Sequence, residues 1–201
     1  SGRRRKGDFQ AFAEYYANQH SCNILVVRVD ITISKEHGDM LDPDNIDFWR
    51  DRIRARQIRA VLVGPPCETW TIVRQHDKGP QMLRSKTHLW GAPSVSADQA
   101  QQVAVGNALL QAALSIFLEA ALARIDAILE HPAKPKWAEQ ARQATAPSIF
   151  DLPEITTLIT LGIARTYDID QGALGAQAVK PTTLLITGSP TLEQDYEKCA
   201  V

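Results

Sequence analysis

The chain has 201 residues, of which 44% are hydrophobic and 22% charged, and its formal net charge is −1. This balance predicts one globular domain, and it excludes a chain drawn to nucleic acid by its net charge alone. No uninterrupted apolar run reaches about eighteen residues, and the N-terminal SGRRRKGD lacks the apolar stretch of a signal peptide. We therefore expect an intracellular protein of the nucleus or cytoplasm, neither secreted nor inserted in a membrane.

The first half of the chain alternates helical and strand-like patterns. Phe9, Phe12 and Tyr16 recur at helical spacing behind a good cap, which predicts a helix from Asp8 to His20. The β-branched run from Ile24 to Ile31 is typical of a strand buried on both faces. We then expect, in order, a helix from Asp42 to about Gln57, a short buried strand at Ala60–Val63, and a long loop over residues 71–95.

A long helix opens the second half. Ser96 and Gln99 have the spacing of a capping box, and an apolar stripe follows them to about Arg124. The elements predicted after this helix are a strand at Ile125–Leu129, a polar linker over residues 133–147, a helix near 151–161, and strands near 163–169 and 182–187.

Alternating strands and helices favour a Rossmann-like α/β fold. We expect a mostly parallel, doubly wound sheet formed by residues 1–190 and followed by a tail over residues 191–201. Ligands bind at the carboxyl ends of the strands in such sheets. Asp30, Cys67 and Glu130 each end a predicted strand, so we expect them to converge there.

Cysteines supply one candidate nucleophile. Cys22, Cys67 and Cys199 are spaced too widely for a disulfide framework or a zinc site, so we expect free thiols and no metal. Only Cys67 follows a strand that stops at two prolines, which fix the backbone and present the thiol on a rigid turn. The alternative for Cys67 is a buried cysteine that packs as a small hydrophobic side chain.

Glu130 is the candidate acid. It follows the apolar strand and precedes His131 and Pro132, so its carboxyl group is expected to be half-buried and able to donate a proton. A surface glutamate at a strand end is the alternative. We expect His131 to be a hydrogen-bonding neighbour, because no second histidine or cysteine lies at metal-ligand spacing.

Two basic clusters could contact phosphate. Residues 3–6 are RRRK, and five arginines fall between residues 50 and 59. A solvated surface is the other interpretation of both clusters.

In this order, several segments resemble motifs of the DNA cytosine-5 methyltransferase family. Ser1-Gly2 is similar to the end of its first glycine-rich motif, Val29-Asp30 to its ribose-binding acid, and Gly38-Asp39 to the acid that contacts adenine. Gly64-Pro65-Pro66-Cys67 resembles the proline-cysteine nucleophile motif. The segments Leu129–Pro132 and 175–185 resemble the Glu-Asn-Val or Glu-Asn-Pro motif and the Gly...Lys-Pro-Thr segment of phage-type members.

The resemblance implies a class I methyltransferase-like sheet with an antiparallel last strand. It also implies a catalytic domain, whole, shortened or decayed, that uses S-adenosylmethionine to methylate DNA. It implies that Gly2, Asp30, Asp39 and Pro65 bind this cofactor. Cys67 and Glu130 would be catalytic, and Pro66, Lys180 and Thr182 would contact the DNA substrate. The chain departs from the family at His131, which replaces Asn, at Glu68, and in lacking a Gln-x-Arg-x-Arg motif. Sequence-specific reading of DNA would need a separate target-recognition chain or domain.

Two alternatives to the enzyme stay open. One is a catalytically inactive methyltransferase-like module that binds nucleic acid or a partner protein. The other is an unrelated cysteine hydrolase, which needs a histidine base near Cys67. The candidates for that base are His76, His88 and His131.

Overall fold

The computed structural model describes residues 8–70, 80–134, 147–174 and 180–199. The chain divides into two compact units, Ser1–Asp47 and Phe48–Val201, and each is described by itself. Several predictions fall outside the described residues: Gly2 and the 3–6 basic cluster, most of the 133–147 linker, and parts of the segments 71–95 and 175–185.

The first unit consists of short helices joined by irregular segments. Helix α1 (Phe9–Gln19) confirms the first predicted helix, and Asp8 caps it by accepting a hydrogen bond from the Ala11 amide at 2.9 Å. The short helix α2 spans Lys35–Gly38, and α3 (Pro43–Arg54) begins in this unit. α3 confirms the predicted second helix but ends three residues earlier than expected.

The strand predicted at Ile24–Ile31 was wrong. These residues belong to no strand, and large apolar side chains along the segment are exposed, with Leu25 at 87%. A strand exists only where its backbone N–H and C=O groups pair with a neighbour, and among the described residues no ladder includes this segment. The apolar, β-branched sequence favours a strand, but the segment does not pair with another strand among the described residues.

The second unit contains a four-stranded mixed sheet. Its strands are β1 (Ala60–Val63), β2 (Asp126–Pro132), β3 (Arg165–Asp170) and β4 (Pro181–Thr187). Their order is β1-β2-β4-β3, with β1 parallel to β2 and with β4 antiparallel to both of its neighbours.

This sheet overturns the expected Rossmann-like, mostly parallel, doubly wound fold. Only one of its three strand pairs is parallel. A parallel pair needs a crossover of about a dozen residues or more, usually a helix, and the segment 171–180 between β3 and β4 is shorter than that. The segment 24–31, expected to add a parallel strand, lies outside the sheet.

Helix α4 (Ala97–Leu122) packs against β1 and β2. The capping box is present as predicted, with Ser96 accepting from the Gln99 amide and the Gln99 side chain accepting from the Ser96 amide. Among the described helices, α4 is the one long and apolar enough to cross a membrane, but length and composition alone are weak evidence. Its Leu110 and Phe117 are buried in the core of the second unit.

The remaining elements complete the core and the C-terminal end. β2 extends three residues beyond the predicted strand and includes Glu130, His131 and Pro132. Helix α5 (Pro153–Thr160) confirms the predicted helix, and α6 (Leu192–Cys199) forms where we expected only a tail. The two inner strands, β2 and β4, supply fully buried apolar side chains to the core, including Leu129, Leu185 and Ile186.

Candidate active site

The Cys67 turn follows β1 directly. β1 ends at Val63, the two prolines stop the ladder, and the Trp70 amide donates to the Cys67 carbonyl at 2.9 Å to close the turn. Pro65 is buried, whereas Pro66 and Cys67 are half-buried. β1 itself is less buried than predicted, because Leu62 is 52% exposed. The cysteine therefore sits on a fixed turn at the carboxyl end of an edge strand.

Glu130 lies beside this turn. β1 and β2 are parallel, and Val63 pairs with Leu129, so the residues after each partner leave the same edge of the sheet. A Cβ atom added to Gly64 would lie 3.6 Å from Glu130 Oε2. Glu130 Oε2 therefore lies close to Gly64, three residues before Cys67. The charge of Glu130 also acts on the Cys67 thiol, so these two residues lie near one another as predicted. Asp30, the third residue expected there, follows no strand, so its predicted place at a strand end was wrong.

Lys180 and Gln171 hold the other side of the Glu130 carboxylate. Oε1 accepts from Lys180 Nζ at 3.1 Å and from Gln171 Nε2 at 3.4 Å. Gln171 also donates to Thr182 Oγ1 at 3.0 Å, and that hydroxyl donates to the Lys180 carbonyl at 3.0 Å. Lys180 and Thr182, singled out by the resemblance, thus lie in the same group as Glu130.

Gln171 is the polar residue of this group that the sequence did not suggest. It follows the last residue of β3, and a polar residue directly after a strand is a weak signal because many loops begin in this way. Its position matters only once β3 and β4 pair antiparallel, which brings residue 171 next to Lys180.

The electrostatic surroundings of Cys67 favour the protonated thiol. Burial raises its pKa above the ordinary value, and the negative charges of Glu68 and Glu130 raise it further, whereas Lys180 lowers it. The thiolate, not the thiol, is the nucleophile. A reaction at Cys67 therefore requires a proton to leave the thiol first.

His131 does not act as the predicted hydrogen-bonding neighbour. It is buried in β2, and neither ring nitrogen has a hydrogen-bond partner among the described residues. Its ring meets Trp70 and Phe150 edge-on, at centroid distances of 6.2 and 6.3 Å. Burial lowers its pKa to about 4, so the ring is neutral at physiological pH.

The histidines give the hydrolase alternative little support. His131 accepts no proton from Cys67 through a direct hydrogen bond. His88 Nδ1 lies 3.0 Å from Thr87 Oγ1 and 3.4 Å from Ser85 Oγ in a small hydroxyl cluster. His76 lies outside the described residues.

The two acids expected to bind the cofactor belong to the first unit. Asp30 Oδ1 accepts from the Thr32 amide and hydroxyl, at 2.8 and 2.6 Å, and Asp39 Oδ1 accepts from the Leu41 amide at 3.0 Å. A Cβ atom on Gly38 would come within 2.3 Å of the Asp30 carbonyl oxygen. The glycine thus allows the backbone before Asp39 to lie directly against Asp30.

The arginine cluster between residues 50 and 59 is partly engaged in the second unit. Arg50 and Arg54 both pair with Glu119, at 3.1 and 2.6 Å, and Arg52 lies 3.3 Å over the Phe48 ring. The Glu119 pairs favour a structural role for Arg50 and Arg54. For the other arginines of the cluster, contact with phosphate stays a prediction.

Within the described part of the chain, no three His, Cys, Asp or Glu side chains are grouped as a metal site. Cys22 and Cys67 are free thiols. No protein-family model matches the chain, and no curated protein or solved structure has significant similarity to it.

Proposed function

We propose that the Cys67 turn and Glu130 form the catalytic half of an S-adenosylmethionine-dependent DNA cytosine-5 methyltransferase. The observation that carries this proposal is the position of Glu130 Oε2, 3.6 Å from where a Cβ atom on Gly64 would lie, at the end of the parallel pair β1–β2 that leads into the Cys67 turn. A nucleophilic thiol and a carboxyl group at neighbouring strand ends can act on two atoms of one base.

The chemistry assigned to these residues begins at C6 of an extruded cytosine. The Cys67 thiol loses its proton to solvent, its sulfur bonds to C6, and the Glu130 carboxyl group donates a proton or hydrogen bond to N3. C5 would then take a methyl group from S-adenosylmethionine, with S-adenosylhomocysteine as the leaving group. A base would take the C5 proton, N3 would return its proton to Glu130, and the carbon–sulfur bond would break to release the thiolate. Lys180 stabilises the thiolate, since its charge lowers the Cys67 pKa.

The methyl group would come from S-adenosylmethionine. Asp30 and Asp39 fit its ribose and adenine to a limited extent: both are acids, and the Gly38 backbone brings their chain segments together. Each carboxylate also accepts a hydrogen bond at Oδ1 within a local turn, which fixes its orientation. Pro65 and Gly2 remain proposed donor contacts on the resemblance alone.

DNA is the proposed partner, read by a separate target-recognition chain or domain, in an intracellular setting. Pro66, Lys180 and Thr182 are the substrate contacts that the resemblance implies, and Lys180 is the cation among them. Thr182 is fully buried and bonds to Gln171 and Lys180, so it supports Lys180 from behind. The Lys180 side chain is exposed and that of Glu130 is half-buried, so a phosphate or base edge can reach Lys180.

The test is covalent trapping on DNA that contains 5-fluorocytosine, with S-adenosylmethionine present. Fluorine at C5 cannot leave as a proton does, so the sulfur–C6 bond persists. Cys67→Ser should form no adduct, while the matched variant Cys22→Ser should form as much as the unaltered chain. An adduct that survives Cys67→Ser would remove Cys67 as the nucleophile.

A second candidate is a catalytically inactive module that binds nucleic acid or a partner protein. The raised pKa of Cys67 favours it, because a thiol kept protonated is a poor nucleophile. Calorimetry with S-adenosylmethionine separates the two candidates. Saturable binding supports the enzyme, whereas DNA binding without any donor binding supports the inactive module.

A further inference from the structure

Arg84 is the largest fully buried side chain in the described structure, with 1% of its surface exposed. Its Nε donates to Thr69 Oγ1 at 3.0 Å, and its Nη1 donates to the Leu89 carbonyl at 2.7 Å. The guanidinium carbon lies 4.1 Å from the centroid of the Trp70 ring. Three neutral groups therefore surround a buried cation.

This environment is a costly one for a charge. Burial lowers the pKa of Arg84 to about 10, and no carboxylate among the described residues offsets that effect. A buried charge without a counter-ion is a poor source of stability, and an apolar side chain of similar volume often serves better. The arginine therefore calls for an explanation other than packing.

The partners of Arg84 connect it to Cys67. Thr69 and Trp70 follow Cys67 by two and three residues, and the Trp70 amide closes the turn on the Cys67 carbonyl. Arg84 thus holds a side-chain hydroxyl and an aromatic ring of the turn that presents the thiol. A planar guanidinium can donate hydrogen bonds in two directions and stack on an aromatic ring at the same time, whereas the ammonium group of lysine cannot.

The same stack reaches the strand of Glu130. Trp70 meets the His131 ring edge-on at 6.2 Å, and His131 follows Glu130 in β2. Glu130 points to the Gly64 side of the turn, and His131 to the Trp70 side. The contacts Arg84–Trp70–His131 therefore join the two segments that carry the proposed catalytic groups.

Helix α4 leaves room for this arrangement at Gly106. A Cβ atom there would lie 3.3 Å from Thr69 Oγ1 and 3.5 Å from Arg84 Nη2. The next residue, Asn107, donates to the Trp90 carbonyl at 2.8 Å and so fixes the loop that follows Arg84. Helix α4, the loop after Arg84 and the Cys67 turn therefore pack together around Arg84.

We propose that Arg84 is a positioning residue that fixes Cys67 relative to Glu130. The inference rests on the proposed function for its catalytic meaning, but the geometry it asserts can be measured on the thiol alone. Loss of the guanidinium frees the turn, exposes the thiol and separates it from the carboxylate. A small alkylating reagent should then react faster at Cys67, while a reaction that needs the aligned pair slows.

The experiment uses the full chain in a Cys22→Ser, Cys199→Ser background, so that iodoacetamide reports on Cys67 alone. Arg84→Lys keeps the charge and loses the fork and the stack, and Arg124→Lys, on an exposed residue of the same unit, is the matched control. Alkylation rates between pH 7 and about 10 give the apparent pKa of Cys67, since the thiolate is the reacting form.

For Arg84→Lys we expect alkylation near pH 7 to be several-fold faster and the apparent pKa to be lower. Circular dichroism and the melting temperature should show a folded chain, and Arg124→Lys should match the unaltered profile. The 5-fluorocytosine adduct should form at least about tenfold more slowly, the loss that misplacing a reacting group produces. Arg84→Met is a second variant, and it should show the same changes if it folds.

An Arg84→Lys profile that overlays the unaltered one, with an unchanged adduct rate, would overturn the proposal. A change in alkylation that tracks only a lower melting temperature would overturn it as well, because it would report unfolding. If the unaltered chain forms no adduct, the methyltransferase assignment fails, and the alkylation profile still decides whether Arg84 fixes the turn.

Discussion

Segment 24–31 and strand β4 have similar apolar, β-branched patterns, but only β4 is paired and buried. ILVVRVDI and PTTLLIT are both apolar and rich in β-branched residues. β4 pairs with two strands and buries Leu185 and Ile186, whereas the earlier segment has no ladder and exposes Leu25. Apolar pattern describes what a strand can bury, and pairing with neighbouring strands decides whether it is buried.

The largest effect should come from truncating one leucine in each segment. Leu185→Ala removes fully buried methyl groups from the central strand, and we expect a loss of about 2–5 kcal/mol in the free energy of unfolding. Leu25→Ala, on an 87% exposed side chain, should change it by less than about 0.5 kcal/mol. Urea unfolding measures both. Equal losses would mean that segment 24–31 is buried in solution.

The pH dependence of the free energy of unfolding gives a second comparison, between a buried and an exposed histidine. His131 has a pKa of about 4 in the folded chain against an ordinary 6.5, so the unfolded chain binds more protons between these values. Stability should be complete above pH 6.5 and fall on acidification toward pH 4, by up to about 3 kcal/mol. His131→Phe should remove this dependence, and His20→Asn, at an exposed site, should keep it. A pH-independent unfolding curve in the unaltered chain would refute the burial argument.

Replacing the acid tests whether the chemistry belongs to the second unit. Glu130→Gln cannot protonate N3 as the carboxyl group does, and we expect about thirtyfold slower methyl transfer, roughly 2 kcal/mol of transition-state stabilisation. Glu14→Gln, in the first unit, is the control and should be silent. The rates come from tritium transfer to DNA, and turnover by Glu130→Gln at the unaltered rate would end the assignment.

Local signals in the sequence predicted α1, α3, α4 and α5, whereas the short helices α2 and α6 were not predicted. The caps at Asp8 and Ser96 act within one turn of chain, and both helices begin where these residues placed them. The proline-cysteine turn was also predictable, because proline ends a ladder regardless of its surroundings. Cys67 and Glu130 were brought together by the one parallel strand pair, which the sequence patterns did indicate.

Features that depend on pairing were not predictable. Segment 24–31 failed because no local rule tells a strand from an unpaired extended segment. Gln171 and Arg84 were missed because their partners lie 41 and 15 residues away, at Glu130 and Thr69. The expected hydrogen bonds of His131 were wrong for the same reason, since its neighbours proved to be the aromatic rings of Trp70 and Phe150.

The smallest effects should appear in the pKa of the Cys67 thiol. Glu68→Gln removes a negative charge that raises the Cys67 pKa, so it should lower that pKa, and Lys180→Met should raise it. Exposed Cys22 is the internal reference, and its alkylation rate should not change. Alkylation rates against pH, read by mass spectrometry for each cysteine, supply both values. Shifts of the same sign in the two variants would contradict the charge assignment.

The central claim is that Cys67 bonds covalently to cytosine during methyl transfer. The most direct measurement is peptide mapping by mass spectrometry of the chain after incubation with 5-fluorocytosine DNA and S-adenosylmethionine. The account predicts a nucleotide mass, methylated at C5, on the peptide that contains Cys67 and on neither of the peptides with Cys22 and Cys199. A methylated DNA product with no modified Cys67 peptide, or an adduct at another residue, would contradict it.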